Sequence, residues 1–185
     1  MIDNGANVKA MGGLGQDTPL AIAIAVGEET ILRFLAQNNA PLTGIQNGSY
    51  YTPLQEAIIV EHFGTHKSLV PILLELGAEI NENEPRFQRT ALHIATELNR
   101  METVQLLLLH GAFVNAKDSR NRTPLTIARQ HGYRKLESLL KGEGAAITTA
   151  KPNGNACSSK NEVMQCTCSG RCFQEEQRCR CSDDP

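Results

Sequence analysis

The chain has 185 residues, with 18 Lys and Arg against 20 Asp and Glu and a formal net charge of −2. Charges so evenly matched give no electrostatic case for binding nucleic acid or an anionic membrane surface. No stretch approaches the ~20 apolar residues of a membrane span, and the absence of Trp with only 4% aromatic residues suits stacked Leu, Ile and Ala helices better than one compact core.

The N-terminus lacks the basic start and apolar stretch of a secretory signal, so the expected address is cytoplasmic or otherwise intracellular, the nucleus included. Residues Asn4, Gly5, Ala6, Asn7 and Val8 read as the last few positions of a repeat whose helices are missing. An apolar first unit then follows without a polar cap ahead of it, whereas terminal repeats normally need one. The chain is therefore expected to be cut from a longer array or to meet another surface at that end, with a tolerated ragged end as the alternative, and to be monomeric or part of a longer chain.

A repeating unit begins next. The string T-x-L starts at Thr18, Thr52, Thr90 and Thr123, so successive copies lie 34, 38 and 33 residues apart. Each Thr stands where a helix N-cap hydroxyl is wanted, and Pro19, Pro53 and Pro124 follow at a first helical position that needs no N–H. A short first helix should end near Gly27, Gly64, Asn99 and Gly132, and a second should run over 28–37, 68–76, 101–110 and 133–141. Gly27, Asn99, Gly132, Asn39, Gly77, Gly111 and Gly144 sit where a left-handed residue ends a helix. Short helices like these are marginal alone, so stability must come from stacking.

The second unit carries four additional residues around 61–67. Pro71 is tolerable only if the second helix starts near Ser68. Insertions of this kind usually map to loops, and a neutral bump is the simplest expectation. In the fourth unit Arg134, Lys135, Glu137, Ser138 and Lys141 give the polar outer face that ends a stack.

T-P-L-H-x-A at about 33 residues is the known ankyrin signature, and Thr90-Ala-Leu-His-Ile-Ala with the G-A-x-V/I endings at Gly77 and Gly111 follows it. The chain resembles the ankyrin-repeat family over about residues 3–147. The resemblance implies an all-α solenoid of helix-turn-helix pairs joined by β-hairpin loops. The expected boundaries are a partial repeat over 1–17, repeats over about 18–50, 51–88, 89–121 and 122–147, and a linker and tail over 148–185. The resemblance also implies that His93 ties its Thr-containing turn together.

The tail is expected to be disordered or a small cysteine-rich fold. Its six cysteines spell C-x8-C-x-C-x3-C-x6-C-x-C from Cys157. Cys166, Cys168, Cys172, Cys179 and Cys181 are spaced closely enough for thiolate ligation of zinc. Disulfides and a reduced, unstructured tail are the competing readings, and the first needs an oxidising compartment. His62 and His66 have the four-residue spacing of a helical metal pair, but Gly64 between them argues against a shared face.

No nucleophile–base pair, phosphate-cradling loop or carboxylate pair stands out, so the chain is not expected to be an enzyme. Glu84, Arg86 and Arg89 read as a solvated hairpin tip. By the resemblance, partners bind the concave face formed by the tips (11–16, 45–51, 82–89 and 117–122) and the exposed side of each first helix. The early half is apolar (Met11, Leu14, Val26, Ile45, Tyr50, Tyr51, Ile59, Val60), and the late half is chiefly basic (Arg86, Arg89, Arg120, Arg122, with Glu97). Tyr50, Tyr51, Ile59, Val60, Arg86, Phe87, Glu97, Arg120, Arg122 and His131 are thus the candidate contacts to another protein. Exposed apolar groups with Tyr and Arg are the usual marks of such a surface. The function expected is a non-catalytic protein-interaction module. Its alternative is an adaptor or regulatory fragment whose tail is a zinc-dependent docking module for protein or nucleic acid.

Overall fold

The computed structural model describes residues 7, 8, 10, 12, 17–45, 50–64 and 68–145, and the backbone of 172–175 and 178–181. Met11, Leu14, His66, the linker from Thr148, Cys157, Cys166 and Cys168 lie outside the described residues. The chain divides into two units, Met1–Thr148 and Thr149–Pro185.

The first unit holds eight helices among the described residues: α1 Pro19–Val26, α2 Glu29–Gln37, α3 Pro53–Phe63, α4 Val70–Glu75, α5 Ala91–Glu97, α6 Met101–Leu109, α7 Pro124–Gln130 and α8 Arg134–Gly142. Each odd-numbered helix packs on the even-numbered helix after it, and α1, α3, α5 and α7 also pack in a row. Leu20, Ile24, Leu54, Ile58, Leu92, Leu107, Leu125, Leu136 and Leu140 fill the seams and are fully buried. This is the all-α stack of helix pairs that the repeat pattern requires.

Local chemistry sets the helix ends. Thr18, Thr52 and Thr123 each accept a backbone N–H three residues on, from Ala21 (3.2 Å), Gln55 (3.4 Å) and Thr126 (3.3 Å). The left-handed positions fall where glycine and asparagine stand: φ is 78° at Gly27, 55° at Asn99, 71° at Gly132 and 87° at Gly111. The loops between repeats differ from the expected strand pairs. The third and fourth are turns, closed by Glu84 N–H to Arg89 O (3.1 Å) with Gln88 N–H to Glu84 O (2.9 Å), and by Asp118 N–H to Arg122 O (3.0 Å) with Asn121 N–H to Asp118 O (2.8 Å).

The insertion in the second unit is not merely a loop. It lengthens α3 to 11 residues, and Gly64 is extended rather than left-handed. The added turn places Glu61 against Arg100 at the start of α6, where it also accepts from Ser68 Oγ (2.7 Å) and Thr103 Oγ1 (3.2 Å). Its side chain is only 11% exposed, so a neutral bump is not what the extra residues make. α4 starts at Val70 with Pro71 in its first turn, where proline costs no hydrogen bond.

The two ends of the stack differ. Ile22, Val26, Ile31 and Phe34 are about half exposed on the first helix pair, whereas Ile94 and Ile127, which hold the position of Ile22 in later repeats, are 3% and 0% exposed. The trough between α1 and α2 is lined by Pro19, Ile22, Ala23, Val26, Glu28 and Ile31. At the far end α8 buries Leu136 and Leu140 and turns Arg134, Lys135, Ser138 and Lys141 to solvent.

In the second unit, β1 (Cys172–Glu175) pairs antiparallel with β2 (Arg178–Cys181).

Candidate functional site

The third and fourth tips are built on the same plan, and each begins with a buried acid. Glu84 is 1% exposed and accepts the backbone N–H groups of Arg86 (2.7 Å) and Phe87 (2.9 Å). Asp118, 5% exposed, accepts those of Arg120 (2.9 Å) and Arg122 (2.8 Å). The arginine just before the capping Thr then closes on the acid: Arg89 on Glu84 at 3.1 Å and Arg122 on Asp118 at 2.7 Å. A buried carboxylate is tolerable only when charge and hydrogen bonds both meet it, and here both do.

The tip containing Glu84, Arg86 and Arg89 is therefore not the solvated loop its composition suggests. Its acid is one of the most buried polar groups in the array. Burial works against ionisation of Asp118, yet the Arg122 backbone and side-chain bonds win and hold its carboxyl below the usual range. Burial likewise opposes the charge on Arg89, and the bonds to Glu84 and then Tyr51 hold its pKa above the ordinary value.

Arg89 also joins the sequence-derived candidates to one another. Its guanidinium reaches Glu97 at 2.9 Å and the Tyr51 hydroxyl at 3.4 Å, so one side chain spans two repeats. Phe87 lies under three guanidiniums, those of Arg86 (5.0 Å), Arg89 (5.0 Å) and Arg120 (5.9 Å) from its ring centroid. The Phe87 carbonyl accepts the N–H of Ser119 at 2.8 Å and so links the two tips. Tyr51, Arg86, Phe87, Glu97, Arg120 and Arg122 are thus brought together.

The remaining candidates stand apart from that cluster. Tyr50 is 56% exposed with φ at 67°, a left-handed backbone that a bulky residue adopts only under constraint. Ile59 is half-buried and packs against the core, and Val60 is also half-buried. His131 is exposed at the end of α7 and stacks on Tyr133 at 5.3 Å.

Two side chains that the pattern reading passed over tie neighbouring repeats together, Gln55 at a tip and Glu61 at the helix ends. Gln55 occupies in α3 the place of His93 in α5. Its Oε1 accepts the Thr52 N–H (3.2 Å) while its Nε2 donates to Arg89 O (2.7 Å) and Glu82 O (3.2 Å). The signal was available, because both residues are fourth in their T-x-L strings. Glu61 had no such counterpart, since no other repeat has that turn.

No group of three or more His, Cys, Asp or Glu able to hold a metal occurs among the described residues, and no helix among them is long and apolar enough to cross a membrane. Of the proposed zinc ligands, Cys166 and Cys168 lie outside the described residues. Cys172, Cys179 and Cys181 are described by backbone alone, with Cys172 opposite Cys181 and Gln174 opposite Cys179.

A family model described as ankyrin repeats in three copies matches residues 57–151, about half of the chain. The chain belongs to the ankyrin-repeat family. Among curated proteins the array is 30% identical over 148 residues to the nuclear factor NF-kappa-B p105 subunit of Gallus gallus, covering 78% of this chain and 14% of that protein. It is 36% identical over 132 residues to the Mus musculus p105 subunit, covering 68% and 13%. It is 31% identical over 140 residues to glycerophosphocholine phosphodiesterase gde1 of Schizosaccharomyces pombe, covering 75% and 12%. The ankyrin chain thus spans no more than about a seventh of these relatives' length. Ankyrin repeats are in general protein–protein interaction modules, and one of these relatives carries an enzyme's name.

Proposed function

We propose that this ankyrin array is a non-catalytic module that binds another protein across its concave face. The observation that carries the reading is the pair of tips locked by Glu84 and Asp118, which hold Tyr51, Arg86, Phe87 and Arg120 in one place. A surface fixed before binding loses little side-chain freedom on association. Its aromatic and Arg content suits anchoring contacts. Tyr50 adds support: the backbone is left-handed at the same place in the later tips (Gln88 53°, Asn121 59°), and an exposed aromatic is not what that conformation favours. The array would act as a monomer or within a longer intracellular chain, at the repeat boundaries given above. Affinity capture with this chain, repeated with Tyr51→Ala and with Arg120→Glu, tests the reading. Each should weaken recovery of the same partner, and unchanged recovery with both would reject it.

A second reading gives the specific work to the tail, as a zinc-dependent docking module for protein or nucleic acid. What supports it is the register of β1 and β2. Cys172 pairs with Cys181 and Gln174 with Cys179, so the hairpin backbone brings three of the cysteines into one short register. Thiolates are the usual ligands of structural Zn²⁺, and Cys166, Cys168, Cys172, Cys179 and Cys181 are the ligands this reading names. Less than one zinc per purified chain, or partner capture that survives deletion of 148–185, would remove it.

A further inference from the structure

The four arginines of the late tips do not act as one basic patch. Arg89 and Arg122 are spent on the buried acids beneath them, and their side chains are only 14% and 19% exposed. Arg86 and Arg120 are different. Both are exposed, and neither forms an ion pair among the described residues. Both instead approach the Phe87 ring, each from its own tip, which places their guanidiniums within about 11 Å of one another.

Two cations over one ring repel each other, and each gains only modestly from the ring quadrupole. An anion entering between them removes that repulsion and can take charge-assisted hydrogen bonds from both forks. The Phe87 ring beneath, half-buried, supplies an apolar floor for the methylenes that carry such an anion. The backbone bond from Ser119 to Phe87 O holds the two tips together, so the backbone positions that carry the two arginines keep their spacing without a ligand.

We infer that Arg86, Arg120 and the Phe87 ring form a receptor for one carboxylate side chain, an Asp or Glu on an extended segment of a partner protein. This rests on the concave-face reading above and names the partner's chemistry at its late end. Arg122, although equally basic in sequence, takes no part, because its charge is already matched by Asp118.

The test pans a random 12-residue peptide library against the full chain and measures the recovered peptides against variants. Recovered peptides should share an Asp or Glu at one register. Changing that residue to Asn or Gln, or changing Arg86→Gln with Arg120→Gln, should each weaken binding about tenfold, and the two losses should not add. The Arg pair should leave the melting temperature unchanged, since neither guanidinium bonds a buried group. Peptides that bind, lose affinity with Tyr51→Ala and show no acidic residue would overturn this inference while leaving the concave-face reading standing. A phosphoserine replacing the acid with a gain of more than tenfold would also overturn it, as would failure to recover any peptide.

Discussion

His93 Nε2 lies 3.1 Å from the carbonyl oxygen of Arg122, so the imidazole that closes the first turn of α5 also holds the tip of the following repeat. On the other side of the ring, Nδ1 receives the Thr90 N–H at 3.1 Å and lies 2.8 Å from the Thr90 hydroxyl. Nδ1 is therefore the acceptor, the proton sits on Nε2, and the ring must be neutral to make both bonds. It is fully buried, and burial pushes its pKa down, against a smaller opposing pull from the Arg122 carbonyl.

Because the folded state disfavours protonated His93, its contribution is complete above the unfolded value of about 6.5 and declines as pH falls below it. His93→Gln should keep both bonds, as Gln55 does one repeat earlier, and should flatten the stability profile just below about pH 6.5. His93→Ala should cost about 1–3 kcal/mol at neutral pH, through the buried Thr90 N–H left without its acceptor. Urea denaturation of the three proteins at several pH values measures both effects. A sloping profile in the Gln variant would disprove the assignment.

Glu84→Ala should be among the most damaging single changes at the surface-forming loops. It removes one of the two carboxylates that Arg89 holds and leaves two backbone N–H groups without their acceptor, at a cost of about 2–3 kcal/mol. Arg86→Gln, two residues away on the same loop, should cost under about 0.5 kcal/mol. Comparable losses from the two would mean that the tip is as solvated as its composition implies.

Glu61→Ala removes the acceptor for Arg100, Ser68 and Thr103 and should destabilise the array by about 1–2 kcal/mol. Hydrogen exchange should rise in the last turn of α3 and at the start of α6. Unchanged exchange there would show that the added turn is a passive insertion.

Tyr50→Asn relieves a left-handed tyrosine with a residue that tolerates that backbone, as Asn121 does at the equivalent place with φ at 59°. Stability should rise by about 0.5–1 kcal/mol. On the proposed function, capture of the partner should fall at the same time. A gain in stability with full binding would leave the strain without a functional reason.

Ile22 and Ile127 hold the same repeat position at opposite ends of the stack, 53% and 0% exposed. Ile127→Ala should cost about 2–5 kcal/mol by opening a cavity, and Ile22→Ala under about 1 kcal/mol. Equal costs in chemical denaturation would mean that something covers the first helix pair in solution.

The fold was readable in the residues because its determinants are local. A hydroxyl before a proline starts a helix, and a glycine or asparagine that tolerates φ above zero ends one. Repetition at 34, 38 and 33 residues then leaves stacking as the way to bury the apolar sides. Residues such as Thr52, Gly27 and Asn99 could be placed without knowing any neighbour in space. The candidate surface was only half readable. Composition shows Arg86, Arg89, Arg120 and Arg122 as four equal charges, and nothing along the chain says which of them is spoken for. That distinction exists only once the tips fold back over Glu84 and Asp118. Burying a carboxylate makes the nearest guanidinium its obligatory partner, and the arginines left over are the ones free to meet another molecule.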